Sequence, residues 1–339
     1  MEASYYIIDT GRYKCFWQTE TFAERKGCCI GGEKDMKNQP IYVEIPIDTN
    51  IDTLWEASQD PVLHAQWDLR FSSITYVPKK ESEPQLFSYK TKMGFTAVEG
   101  WGKSVGSFHA EDGSRTSSLH FGTDQSLSPI REGKGYWKYQ PKHDDTITFL
   151  TQYDYTPGFG RIGDFVDHFI FRPLMGWGTA LSFDVLKKWL EQGETPTSQY
   201  IRFFSHWILT FFFFFIWMYH GLIPKLIYRH PDEMEMVQAS LPLSNTQSLW
   251  AVLIIGMGEV IFGWIWLLYR KKRHLFFLQM ILLPLLTLSA VLADPRSLVD
   301  PFNPFTFNLA LFVLSIVGYF ISAGELPTAA NCKRKKEGA

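Results

Sequence analysis

Five consecutive phenylalanines, residues 211–215, sit inside the run ILTFFFFFIWMYHGLIPK. In water such a run is an aggregation hazard, because exposed aromatic side chains seek any other apolar surface. In hydrocarbon it is harmless. A bilayer core of about 30 Å needs about 20 helical residues at about 1.5 Å each. Four stretches meet that length: 201–223, 249–269, 275–293 and 305–323. They predict an all-α bundle of four transmembrane helices with the lipid bilayer as its first partner. Trp217, Tyr219 and His220 fall where the first helix nears the interface, and Gly221 with Pro224 should end or kink it there.

The preceding 200 residues are mixed and polar, so the chain divides into a soluble part and a membrane part. The expected division is 36–195 for a soluble domain, 200–326 for the membrane domain and 327–339 for a basic cytoplasmic tail. Residues 1–35 form a doubtful extension. Gly31 to Asp35 fit a purine-rich stretch resembling a bacterial ribosome-binding site just ahead of Met36, which makes Met36 an expected start; a disordered arm is the alternative. Basic clusters occur at 270–273 and 333–336, whereas the other two connections carry only Lys225, Arg229 and Arg296. The positive-inside rule then puts both termini and the soluble domain in the cytoplasm, with the helices in the cell membrane. A net charge of −2 speaks against a nucleic-acid partner.

In the soluble part, IYVEIPID alternates as a half-buried strand, and NIDTLWEASQDP follows as a short helix capped by Asn50 or Asp52 and limited by Pro61. FSSITYV, QLFSYKTKM, FTAVEGWGKSV, GKGYWKYQ and DTITFLTQYDY read as further strands of an antiparallel meander. In the last, Ile147, Phe149, Thr151, Tyr153 and Tyr155 share a face. After Gly163 the period turns helical through Phe169, Ile170, Leu174, Trp177, Leu181, Val185 and Trp189. Pro173 should bend this helix and Gly193 should cap it.

That order, with Leu54-Trp55, Asp60-Pro61 and Trp67, resembles the START-like helix-grip superfamily, also called SRPBCC or polyketide cyclase-like. The resemblance implies an α+β fold in which a curved antiparallel sheet wraps a long C-terminal helix. It also implies a cavity for a lipophilic small molecule or lipid, with only some members being enzymes. Trp67, Phe87, Tyr89, Trp101, Trp137 and Tyr153 are the candidate cavity residues, each of which could instead fill a core.

GFGRIG at 158–163 matches a dinucleotide-binding pattern, but no second strand with an acidic residue follows, so it reads as a glycine-rich turn. The histidines lack metal-ligand spacing, and no metal site is expected. The catalytic residues, if the chain has any, are not legible.

One ionisable residue, Glu259, stands near the middle of the second apolar segment, between Gly256 and Gly263 on one helical face. A carboxyl there marks a functional site or a neutral side chain bonded to a neighbouring helix for packing. Asn308, Ser315 and Ser322 recur at seven-residue steps on the fourth segment and form a stripe that could face it. Pro284 should kink the third. Gly221 to Leu226 (GLIPKL), His230 to Glu233 (HPDE), GMGEV around Glu259, and Asp294 through Asn308 together resemble the DoxX-like family of four-helix membrane proteins. Lys225 and Asp294 are its interfacial residues. Lys225 would pair with a lipid phosphate or an anionic ligand, or simply snorkel. No cofactor is evident, but the resemblance leaves room for a quinone. The sequence thus favours a membrane protein whose cytoplasmic domain binds a lipophilic molecule. A subunit of a quinone-linked redox system with a membrane redox partner is the alternative, as is a non-catalytic scaffold or homo-oligomer.

Overall fold

The computed structural model of the chain describes residues 6–9, 14–17, 39–80, 83–93, 96–126, 128–142 and 146–335. Strands β1 (Tyr6–Asp9) and β2 (Lys14–Trp17) pair antiparallel in a small unit separate from the rest. Most of 1–35, including the stretch before Met36, lies outside the described residues.

The second unit opens with β3 (Ile41–Asp48), whose Ile41, Val43, Ile45 and Ile47 are buried as their alternation predicts. Asn50 then accepts from the Asp52 amide and starts α1 (Ile51–Gln59). Asp60 stops α1 and caps α2 (Pro61–Trp67), its carboxylate accepting from the amides of Val62 and Leu63. Pro61 fits the first turn, where its missing N–H costs nothing. Strands β4 (Ser73–Tyr76), β5 (Leu86–Met93), β6 (Thr96–His109), β7 (Arg115–Gly122), β8 (Ile130–Pro141) and β9 (Thr146–Pro157) follow. They form one antiparallel sheet of seven strands in the order β3-β9-β8-β7-β6-β5-β4. Strand β7, RTSSLHFG, has no strong apolar alternation and was not expected; the ladders of β6 and β8 on either side hold it.

At the end of β9 the chain turns at Phe159, whose φ is +66°. It continues through α3 (Gly160–Val166), a π-helical turn (Asp167–Phe171) and α4 (Arg172–Gln192), and Gly193 at φ +72° closes α4. The sheet grips α4 along Ala180, Leu181, Phe183, Val185 and Leu186, all fully buried. Phe169, Ile170 and Leu174, expected on this buried face, are instead exposed. The π turn adds a residue to the helical repeat and rotates the face: Asp167 and Arg172 point inward in their place. The irregularity therefore precedes Pro173, which lies in the first turn of α4 rather than at a bend in its middle.

Among the described residues, four helices are long and apolar enough to cross a membrane. They are α5 (Pro196–His220), α7 (Asn245–Leu268), α8 (Lys272–Ala293) and α9 (Pro304–Ile321), with the short α6 (Pro231–Ser240) between the first two. The first does not stop at Gly221; it runs on as a π-helical segment, Gly221–Ile227, through Pro224. Phe213 is fully buried against Trp266 and Phe276, while Phe211 and Phe215 face outward, 55% and 60% exposed. The phenylalanine run thus serves both the bundle core and the lipid. Gly221 and Gly256 let two backbones meet: a Cβ on Gly221 would lie 2.5 Å from the Gly256 carbonyl oxygen.

The ends of α5 and α9 that adjoin the sheet domain are tied together. Arg202 donates to the carbonyls of Ile321 (3.4 Å) and Ala323 (2.5 Å), and His206 Nδ1 lies 2.9 Å from Ser322 Oγ. The following segment is no free tail. Asp184 accepts from the Thr328 amide (2.9 Å) and the Asn331 side chain (2.8 Å), and Lys333 pairs by backbone with Glu44. Cys332 is buried, with its thiol on the Ala180 carbonyl at 3.2 Å.

Candidate functional site

A cavity of about 480 Å³ lies against the sheet, closed by Trp55, Ser58 and Gln59 of α1, His64 of α2, Arg70 and Phe71, and by Phe171 and Met175 where the π turn enters α4. Of the six residues expected there, Phe87, Tyr89, Trp137 and Tyr153 line it. Trp67 does not: it is fully buried in the core, its indole donating to the Ala57 carbonyl at 2.9 Å and packing on Trp137, Phe149 and Phe183. Trp101 sits 38% exposed, edge-on to His120 at 5.1 Å, and also lies outside the lining. Its β6 position alternates away from Val98, which does line the cavity.

The cavity wall also contains a charged cluster that the sequence reading missed. Asp68, 1% exposed, receives Arg70 through Nε (2.9 Å) and Nη2 (2.6 Å), and His64 Nε2 at 3.1 Å. Burial alone would raise the Asp68 carboxyl, but the Arg70 charge and hydrogen bonds outweigh it and hold it well below the carboxylate range. Burial pushes His64 down, and Asp68 only partly opposes that, which favours the neutral imidazole. Arg70 stacks over the Tyr153 ring at 5.3 Å, and the Tyr153 hydroxyl lies 2.9 Å from Thr179 Oγ1. Burial pushes the Tyr89 phenol up to about 12. His64, Arg70 and Tyr153 reach the lining while Asp68 stays behind them. A mostly apolar cavity with one polar wall suits a molecule with an apolar body and a hydrogen-bonding head. The available sign was the four-residue step from His64 to Asp68 on a helix, which places both on one face.

A second cavity, about 780 Å³, opens within the helical bundle. It is lined by the last turns of α5 and its π extension, by α6, the first half of α7, the second half of α8 and the start of α9. All of these lie at the end of the bundle away from the sheet domain. Lys225 is turned into the bundle rather than extended from it. It is 7% exposed, with Nζ 3.2 Å from Glu233 Oε1 and 3.1 Å from Glu259 Oε2. The second approach is an ion pair off the hydrogen-bonding line, since Glu259 Oε2 is buried without a hydrogen-bond partner among the described residues. Asn308 and His220 share this wall. The rest of the expected stripe turns elsewhere: Ser315 donates to the Leu311 carbonyl of its own helix, and Ser322 meets His206. Asp294 accepts from the Arg296 amide at 3.0 Å and caps a short 3₁₀ turn outside the cavity.

Residues 214–316 match the model of the DoxX-like family. The "Uncharacterized membrane protein YndG" of Bacillus subtilis (strain 168) is 47% identical over 188 residues, which cover 55% of this chain and 70% of that protein. Among solved structures, human StAR-related lipid transfer protein 5 is similar at 13% identity and a TM-score of 0.34, over 57% of this chain and 88% of its own. A Thermus thermophilus protein, TTHA0849, gives 10% identity and a TM-score of 0.31 over 40% of this chain and 86% of its own. The strand order and the gripped helix, rather than these low scores, carry the fold. The chain is a multi-pass membrane protein of the YndG family, with a DoxX-like match over 214–316 in its helical part and, ahead of its four apolar helices, a seven-stranded sheet gripping a long helix in a START-like fold.

Proposed function

We propose that the START-like domain holds a lipophilic molecule in its 480 Å³ cavity, beside the membrane that supplies or receives it. The observation that carries this reading is the lining itself. Phe71, Phe87, Phe121 and Met175 offer apolar contact, while His64 and Arg70 offer a localised polar wall. Attachment to the helices keeps the domain at the bilayer and raises its effective concentration there. The basic clusters at 270–273 and 333–336 favour a cytoplasmic location for the domain and both termini.

The test uses the full chain, purified in detergent and examined by native mass spectrometry followed by organic extraction. Wild type should carry a stoichiometric lipophile that Val98→Trp, which fills the cavity, loses. An empty wild-type protein, or a lipophile retained equally by Val98→Trp, would overturn the reading.

A second reading, a subunit of a quinone-linked redox system, draws on the Lys225–Glu259 pair at the wall of the larger cavity. An ammonium and a carboxyl there can hydrogen-bond a carbonyl head and exchange a proton with it. Such a role requires a redox partner. Unchanged quinone reduction in membranes carrying Glu259→Gln would remove this support.

A further inference from the structure

The segment leading into the gripped helix carries an apolar face on the outside of the molecule. Phe159, Ile162, Phe165, Val166, Phe169 and Ile170 are between 42% and 78% exposed. They recur at three- and four-residue steps, which makes one stripe of a helix. Gly163, Asp167 and Arg172 face the protein, and Arg161, Asp164 and His168 are exposed on the remaining polar side. Asp167 accepts from the Tyr155 hydroxyl (2.6 Å) and from Arg172 Nε (3.0 Å), and Arg172 also reaches Asp154 at 2.7 Å. With its apolar stripe exposed and a polar side beside it, this segment is amphipathic in the manner of a helix lying at an interface.

The path of α4 and α5 shows which medium that is. The two helices run antiparallel, side by side. The Gln199 side chain donates to the Val185 carbonyl (3.0 Å), the Tyr200 hydroxyl lies 3.3 Å from Ser182 Oγ, and Phe203 meets Trp177 with ring centroids 6.1 Å apart. Each step up α5 is a step back along α4. The same progression brings Ile170 and Phe169, about two helical turns before Trp177, level with about two turns beyond Phe203. That is the start of the phenylalanine run. On this side the spanning helices carry Arg202 and His206, which bind the end of α9, and Arg273 at the start of α8, which donates to the Tyr319 hydroxyl; charged and aromatic residues of this kind belong at a bilayer edge. The exposed stripe therefore lies at or just past the depth where the spanning helices enter hydrocarbon.

We infer that 159–174 is a membrane-inserted wedge, an interfacial helix that dips its aromatic face into the leaflet nearest the START-like domain. Arg161, exposed beside the stripe, is placed for anionic headgroups. Phe171 and Met175, just inside the wedge, line the 480 Å³ cavity, so its apolar wall begins where the wedge meets lipid. The insertion itself does not require the cavity to hold anything.

The test uses full-length protein in vesicles of phosphatidylcholine and phosphatidylglycerol. Nitroxide labels are placed at Ile162→Cys and Phe169→Cys, and at Val105→Cys as an exposed apolar control. Val105 lies at the bulge of β6, between the residues paired with Leu119 and Ser118, on the half of the strand that leads away from the wedge to His109, which pairs with Arg115, and there Arg115 binds Asp52 at 2.6 Å. Cys15, Cys28 and Cys29 are replaced by serine, and buried Cys332 does not label. The ratio of oxygen to nickel-chelate accessibility should be several-fold higher at 162 and 169 than at 105. In the unaltered protein, a photoactivatable phospholipid should cross-link to the 159–174 peptide and not to the peptide carrying Val105.

Equal ratios at all three sites, or no lipid cross-link to 159–174, would overturn the wedge. So would spin–spin broadening at 162 or 169, which would mean that a second copy covers the stripe. An inserted wedge on a protein with an empty cavity would overturn the ligand reading alone, so the two failures are distinguishable.

Discussion

Glu44 and Lys333, near the two ends of the main folded unit, exchange both backbone hydrogen bonds at 2.9 Å. The segment after the last spanning helix is thereby added to the edge strand of the sheet. Asp184, 1% exposed, anchors it from the gripped helix. Removing that carboxylate takes two hydrogen bonds from the half-buried Thr328 amide and the exposed Asn331 side chain, each worth about 0.5–1.5 kcal/mol net. Asp184→Ala should lower the melting temperature of the full chain and release the strap. Burial, with the Asp184 charge second, pushes the Cys332 thiol up to about 12, so it is inert when docked. Maleimide labelling at Cys332, mapped by mass spectrometry, should be negligible in wild type and rapid in Asp184→Ala.

The His64–Asp68–Arg70 cluster gives the START-like domain an acid sensitivity in two parts. Folded His64 is lowered from its ordinary 6.5, so below that pH the unfolded chain gains a proton that the folded one refuses, and stability falls. Folded Asp68 is lowered from 3.8, so its contribution is present above that value and is lost as pH falls toward its folded pKa. His64→Asn should flatten the stability curve just below pH 6.5, whereas Asp68→Asn should flatten the limb below 3.8 and, by removing the charge that supports His64 protonation, extend the His64 limb to lower pH. Breaking the buried pair should also cost about 3–5 kcal/mol at neutral pH. Denaturant titrations across pH on the three proteins check both effects.

Lys225 and Glu259 should behave as a unit. Lys225→Met leaves Glu259 without its counter-charge and should cost roughly 1–3 kcal/mol, less than a fully buried pair would, because the Glu259 side chain is 16% exposed. Adding Glu259→Leu should recover most of the loss, which a double-mutant cycle of detergent thermostability reads directly. Gly256→Leu should destabilise through a clash at the same place, since a Cβ there lies 2.7 Å from Lys225 Cβ and 2.9 Å from the Gly221 carbonyl oxygen.

Trp67 and Phe87 should separate core from cavity. Trp67→Ala removes a fully buried indole and should cost about 3–5 kcal/mol. Phe87→Ala enlarges a space that already exists and should cost far less while changing what is co-purified. Thermal melts alongside ligand extraction measure both.

Elements whose cause is local were legible in the chain before any folding. The Ile41–Ile47 alternation, the Asn50 and Asp60 caps, the Gly193 stop and the four apolar spans all follow from periodicity, side-chain caps and length. Strand β7 was hidden because its Ser/Thr-rich face carries little hydrophobic contrast and its two neighbours hold it in place. Trp67 and Trp137 could not be ranked as core or cavity residues, because an indole needs burial in either place and only packing distinguishes the two. The π turn before Arg172 shifted the expected inner face, exposing Phe169 and Ile170. The long-range pairs, Lys225 with Glu259, Arg202 with Ala323 and Glu44 with Lys333, emerge only in the folded molecule. Such contacts depend on how helices and strands meet in space, and no short-range period along the chain encodes them.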